Sequence, residues 1–336
     1  MKKVKYSVLD LSVITLGGNA KLAIDRTVEL AKQAESFGYE RVWLAEHHNM
    51  EFIASSATSV LIGHVASKTN KIRVGSGGIM LPNHSPLTVA EHFGTLETMY
   101  PGRIDLGLGR APGTDQQTAM ALRRNDMSSQ HYFPNDVKAL QTYFSEENKT
   151  SAVRAFPGEG LDIPIWILGS STDSAYLAAE MGLPYAFAAH FAPQQLKQAL
   201  TIYRHNFQPS KYLDKPYVLI CVNGIAADTN EEADLLSMSL YHLFSGILTG
   251  KRNPLSPPIP DLIKNWPEEL LHAANQMMAC TFVGDKSSLL NQFKNFFNQF
   301  EPDEVMISGN IFDIEKRIHS YELLAEIFEE LNVRVP

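Results

Sequence analysis

Residues 71–108 read KIRVGSGGIMLPNHSPLTVAEHFGTLETMYPGRIDLGL. Lys71 to Ser76 is a short β-branched run, Pro86 to Met99 a longer amphipathic segment, and Arg103 to Leu108 a second short run. Two strands separated by a helix form a βαβ unit, whose strands lie parallel. The same rhythm continues on both sides. Upstream, strands at Val4 to Leu9 and Arg41 to Ala45 alternate with helices at Leu22 to Phe37 and Ser56 to Lys68. The first helix carries Leu22, Val28, Leu30, Ala31, Ala34 and Phe37 broadly at helical spacing, with Gly38 to end it. Downstream, a helix at Asn135 to Phe144 leads into strands at Pro164 to Leu168, Pro184 to Ala188, Tyr217 to Val222 and Asp303 to Ile307. Their helices are Ser174 to Met181, Gln194 to Asn206, Glu231 to Phe244 and Phe312 to Leu331.

This makes eight βα units, the number that closes a (β/α)8 TIM barrel, with an open doubly wound sheet as the alternative. One domain spans 1–336. Two stretches break the rhythm. Ala111 to Pro134 follows the fourth strand. Ser245 to Ala279, with Pro254, Pro257, Pro258, Pro260 and Pro267, is an irregular insertion before the eighth strand. Long loops inside a compact domain are usually functional.

The 336 residues are 44% hydrophobic and 20% charged, the balance of a chain with a real core. A net charge of −8 argues against nucleic acid or an anionic membrane as partner, because both require a basic face; a local basic pocket for one phosphate stays open. Cys221 and Cys280 form no Cys-x-x-Cys pair and fit a reducing compartment. No apolar run approaches the ~20 residues of a membrane span. The start, Met1-Lys2-Lys3-Val4, soon meets Asp10 and is not a signal peptide. A cytoplasmic protein is the expectation.

In a βα barrel the chemistry sits on loops after the strand C-termini. Here those places hold Glu46-His47-His48-Asn49, Gly75-Ser76-Gly77-Gly78, Asn83-His84, Gly109-Arg110, Gly169-Ser170-Ser171-Thr172, His190 and Gly309-Asn310. Adjacent residues at a strand end point in opposite directions, so His47 and His48 do not face one point. A metal site would need His84 to join them, and none is expected. Two other readings remain: histidines that pack the barrel top, or a neutral catalytic imidazole held by a neighbouring carboxylate. Arg110 with Ser170 and Ser171 at a helix start suits a dianion such as a phosphate, although Ser-Ser-Thr is also an ordinary N-cap. Gly169 would let a ligand approach the backbone. Gly75-Ser76-Gly77-Gly78 suggests a bulge or the close approach of something flat, and is not a dinucleotide fingerprint. Trp43, His64, His92, His205 and His319 read as packing or surface residues. Walker and Gly-x-Ser-x-Gly motifs are absent.

Val42-Trp43-Leu44-Ala45-Glu46-His47-His48, Val74 to Pro82 and Gly102 to Arg110 resemble the bacterial luciferase-like family of flavin-dependent monooxygenases. Trp166-Ile167-Leu168-Gly169-Ser170-Ser171, Ala178 to Gly182 and Thr281 to Asp285 do so too, and the likeness keeps its order along nearly the whole chain. The resemblance implies a barrel that binds FMN, commonly as a homodimer. It implies that His47 is the acid–base histidine at the reacting flavin edge and that Glu46 and Leu168 border the cofactor. Gly77-Gly78 falls where the family has a non-proline cis peptide beside the flavin ring. Arg110, Gly169, Ser170 and Ser171 match the phosphate-holding positions. The 245–279 insertion falls where relatives have a mobile lid that protects a peroxyflavin. Gly109 stands where light-emitting luciferase has a cysteine, so light emission is not implied.

The function expected is a monooxygenase using reduced FMN and O2 on a small organic molecule. Nothing resembles an NAD(P)H site, so a separate flavin reductase is the expected electron source. The alternatives are a deazaflavin-dependent oxidoreductase, a non-catalytic flavin-binding protein and, weakest, a metal hydrolase.

Overall fold

Side-chain caps mark several helix starts. Asn19 accepts from the Leu22 N–H, Thr229 from Glu232 and Asp285 from Ser288, and each begins a long helix. The computed structural model describes residues 2–123 and 132–333. Its elements are β1 (Lys5–Asp10), α1 (Ala20–Ser36), β2 (Arg41–Leu44), α2 (Thr58–Ala66), β3 (Arg73–Met80), α3 (Pro86–Met99), β4 (Ile104–Gly109), α4 (Gln116–Arg123) and α5 (Phe133–Phe144). There follow β5 (Ile165–Gly169), α6 (Thr172–Met181), β6 (Tyr185–Ala188), α7 (Leu196–Asn206), β7 (Val218–Ala226), α8 (Asn230–Thr249), α9 (Glu268–Met277), β8 (Thr281–Gly284), α10 (Lys286–Phe300), β9 (Glu304–Ser308) and α11 (Ile314–Val333).

The strands close into a ring in the order β1-β2-β3-β4-β5-β6-β7-β9, and every pairing is parallel. Pairing of β6 with β7 and of β9 with β1 removes both edges, which excludes the open sheet. The fold is the eight-stranded barrel that the alternation implies. The eighth barrel strand is β9. An additional strand, β8, lies outside the ring and pairs with Asn223 to Ala226 at the end of β7.

The Pro-rich insertion is bounded more narrowly than its sequence suggests. Helix α8 runs on to Thr249 and stops at Gly250, whose φ of +71° favours glycine. Leu255 pairs with Thr15, tying the irregular segment back to the loop after β1. The excursion after β4 contains α4, and its residues 124–131 lie outside the described part. Among the described residues no helix is long and apolar enough to cross a membrane.

Inside the ring, inward-facing side chains stack in layers. The lowest is ionic. Arg41 Nη1 reaches Asp105 Oδ2 at 2.6 Å and its Nε reaches Glu304 Oε1 at 2.8 Å. Arg73 Nη2 lies 2.6 Å from Asp105 Oδ1. Asp105 and Glu304 are wholly buried. Above them lie Leu9, Trp43, Trp166, Ala186, Leu219, Cys221 and Met306. The Trp43 indole meets Trp166 edge-on at 5.1 Å and donates to Asp105 at 3.2 Å, so the two layers are joined. Gly75 is required here: a Cβ would lie 2.6 Å from the Asp105 Cβ and 2.9 Å from Trp43 Nε1.

Candidate active site

The third layer is unfilled. A cavity of about 680 Å³ opens above Leu9 and Leu168 at the C-terminal ends of the strands, within the range of cofactor and ligand pockets. Its polar lining comes from strand ends all around the barrel. Glu46 and His47 follow β2, Gly77 and Gly78 lie in β3, and Arg110 follows β4. Gly169, Ser170 and Ser171 come at the end of β5, His190 after β6, and Asn223 and Ser308 in β7 and β9. The nine residues that the resemblance places at the cofactor, Glu46, His47, Gly77, Gly78, Arg110, Leu168, Gly169, Ser170 and Ser171, border this one cavity; of the other strand-end residues, His48, Asn49, Gly75, Ser76, Asn83, His84, Thr172 and Gly309 do not.

The backbone at the β3 end departs from a regular strand. The register to β4 shifts between Ser76 and Ile79, and the Gly77–Gly78 peptide is cis. The bulge and the cis bond both fall in the glycine run. Ser76 pins the bulge by donating to the Gly107 carbonyl at 2.9 Å and accepting from the Gly107 N–H at 3.0 Å.

His47 and His48 part company, as alternation past a strand end predicts. His48 Nε2 lies 2.8 Å from Glu46 Oε1, and His84 Nε2, from the loop after β3, lies 2.9 Å from the same oxygen. The Met80 N–H donates to Oε2 at 3.1 Å. Burial alone would raise the Glu46 carboxyl; hydrogen bonds from His48 and His84 outweigh it and hold the group down to about 2. This corrects the expectation that the neighbouring carboxylate grips His47. Glu46 is held by His48 and His84, and among the described residues the His47 Nδ1 is buried without a partner. Burial first, then the charge of Arg252, pushes the His47 imidazole down to about 4, so it is neutral at physiological pH. Glu46, His48 and His84 have ligand atoms within 4.8 Å of one another, the grouping a metal would need. In the structure the carboxylate is engaged by direct hydrogen bonds from its surroundings.

At the other end, Ser171 is the N-cap residue of α6 and its side chain makes no capping bond. The ordinary N-cap explanation of Ser-Ser-Thr therefore does not account for it. Arg110 reaches the first turn of the same helix, with Nη2 3.1 Å from Asp173 Oδ2, and both side chains are exposed. Gly169 has a packing reason beside any ligand reason, since a Cβ there would lie 2.0 Å from the Ser174 hydroxyl.

Sequence reasoning missed part of the wall. His190 was visible as a polar residue after a strand, but nothing local marked it as facing the cavity. Its Nδ1 is buried and unpartnered among the described residues, and burial, followed by the charge of His47, pushes its imidazole down to about 3. Phe52 and Ile53 from the loop after β2, Leu243, Phe244 and Ile247 from α8, and Arg252 beyond it also line the site, brought together only by the fold.

A closed βα barrel whose strand ends converge on one cavity is the architecture in which barrel enzymes carry their active sites. The luciferase-like monooxygenase family matches residues 4–279, and the chain belongs to it. A relative from Escherichia coli (strain K12), described as a luciferase-like monooxygenase, is 49% identical over 330 residues, 98% of each chain. The N-acetyl-S-alkylcysteine monooxygenase of Bacillus subtilis (strain 168) is 37% identical over 237 residues, covering 69% of this chain and 70% of that one. The crystal structure of apo-MsnO8 has a TM-score of 0.90 and 32% identity, covering 97% of this chain and 98% of that one.

Proposed function

We propose that this chain is an FMN-dependent monooxygenase, which uses reduced flavin and O2 to oxygenate a small organic substrate. The observation that carries the reading is the polarity of the cavity. One end offers an anion Arg110 and the start of α6, where the Ser171 side chain makes no capping bond and the Thr172 N–H is held by Gln195, and the other end offers a buried neutral imidazole. That donor set fits FMN: a dianionic phosphate at the helix start, and a flat ring against backbone that lacks side chains. When bound, reduced FMN supplies the electrons that activate O2. Arg110, Ser170 and Ser171 hold its phosphate. Gly77, Gly78, Leu168 and Gly169 orient the ring. Glu46 fixes His48 and His84, and with them the cavity wall. His47, whose imidazole is neutral, accepts or returns a proton at the edge it presents to the cavity. The roof formed by 245–279 excludes water while it does so.

The B. subtilis relative, named for oxygenation of an N-acetyl-S-alkylcysteine, favours turnover over flavin storage. A separate flavin reductase, a homodimer and a cytoplasmic setting belong to the same reading. The test is rapid mixing of anaerobic protein and reduced FMN with oxygenated buffer. A transient in flavin absorbance that outlives its free-solution counterpart is expected. Reoxidation at the free-solution rate would remove the reading, and titration with a deazaflavin would then decide the cofactor.

The phosphate assignment has its own check. Arg110→Ala is expected to weaken FMN binding about 10- to 100-fold, the range for hydrogen bonds to a charged group. Asp173→Asn frees Arg110 and removes a like charge from the anion site, so it should tighten binding by about two- to fivefold, as for an exposed pair. Fluorescence titration of FMN reads both, and unchanged affinity in Arg110→Ala sinks the assignment.

A further inference from the structure

At the start of α6, two donors that suit an anion are each held by an oxygen of the chain itself. Arg110 Nη2 lies 3.1 Å from Asp173 Oδ2. The Thr172 N–H, at the first residue of the helix, donates to Gln195 Oε1 at 3.1 Å. A helix is usually capped by the side chain at its N-cap, but Ser171 makes no such bond. The cap comes instead from 23 residues further on, out of the single turn Pro193–Gln195 that precedes α7. Asp173 and Gln195 are exposed, so both are free to turn away. The frame beneath them is fixed. The Ser171 carbonyl accepts from Ser174 Oγ at 2.8 Å and from the Tyr185 hydroxyl at 3.2 Å, and Tyr185 is wholly buried.

Donors that stay in place, with acceptors that can leave, describe a site made for exchange. We propose that Gln195 is a residue that sets cofactor affinity: its carboxamide takes the Thr172 N–H when the FMN phosphate departs and yields it when the phosphate returns. A dianionic oxygen makes the stronger hydrogen bond, so the phosphate wins the N–H from a neutral carboxamide. The net gain is only the difference between the two bonds. FMN is therefore held less tightly, and let go sooner, than at the same helix start without Gln195. Riboflavin, which lacks the phosphate, leaves the Thr172–Gln195 bond intact. A flavin that travels to a separate reductase needs such a site. The proposal rests on the reading of this helix start as the phosphate end of the cavity.

Fluorescence titration of the full chain with FMN and with riboflavin tests it, with stopped-flow release of FMN as a second readout. The wild type should bind FMN more tightly than riboflavin. Gln195→Ala should tighten FMN by about three- to tenfold, the worth of one neutral hydrogen bond, and slow its release to match. Gln195→Glu keeps the reach and adds a negative charge, so it should weaken FMN by a similar factor. Riboflavin should stay within about twofold in both variants. Weaker FMN binding in Gln195→Ala would make the carboxamide a donor to the phosphate and overturn the proposal. Unchanged FMN affinity in that variant overturns it, as do equal shifts for the two flavins, which would give Gln195 a purely structural role. In each of these cases a wild-type preference for FMN leaves the phosphate reading standing. A wild type that binds FMN no tighter than riboflavin removes that reading and the proposal with it.

Discussion

His47→Ala is expected to leave FMN affinity within about twofold and to slow turnover by about 10²–10⁴-fold, the usual loss when a positioned proton-transfer group is removed. Among the described residues no group makes a hydrogen bond to Nδ1, so truncation breaks no hydrogen bond there. The pH profile is the sharper test. With its imidazole held down to about 4, His47 stays unprotonated throughout the neutral range. Activity that depends on it as a base should be level from about pH 5 upward and fall as the pH drops through about 4. Removing the Arg252 charge by Arg252→Gln should move that acid limb upward, because protonation no longer meets a nearby cation. Stability follows with the opposite cost. The folded value lies below the ordinary 6.5, so on acidification the unfolded chain takes up the proton first, and stability is lost as pH falls from 6.5 to about 4. A wild-type rate in His47→Ala would remove His47 from the chemistry.

Asp105→Ala is expected to destabilise the fold by about 3–5 kcal/mol, the cost of leaving one partner of a buried ion pair uncompensated. Asp105 is wholly buried and accepts from Arg41, Arg73 and Trp43. Burial opposes its charge, but the two guanidiniums outweigh burial and hold its pKa below the usual carboxylate value. Stability from this group is present above the unfolded pKa and lost as pH falls through the lower folded one. Asp105→Asn should lose less, since it keeps the shape and one acceptor. Equilibrium denaturation in urea reads both, and a change under ~1 kcal/mol for Asp105→Ala would show that the ionic layer is not needed.

The barrel was legible because parallel strands and their helices leave a coarse period in the chain, and eight such units have one natural closure. β8 was not, because Thr281 to Gly284 pairs only with the overhang of β7 and has no place in the ring of eight that the alternation counts. The site was legible where its chemistry is local in sequence. The split of His47 from His48 follows from backbone geometry alone. That Glu46 belongs to His48 and His84 depends on a loop some forty residues on, brought near by the β2–β3 register. Arg252 and His190 show the limit of such reading. One arginine among prolines and one histidine after a strand are brought to the cavity wall only by the fold.

The overhanging strand has a consequence for how this molecule can change. Ile225, Ala227, Ala233, Leu236, Leu240, Phe244, Met278 and Ile311 form a hydrophobic cluster separate from the main core. The helix that carries Leu243 and Ile247 to the substrate space is rooted in that satellite, while the ionic floor and the indole layer belong to the ring. Selectivity and architecture thus stand on different foundations. Substitutions that reshape the upper chamber draw on the smaller cluster, so a lineage can retune what it admits while the ring beneath keeps its strength.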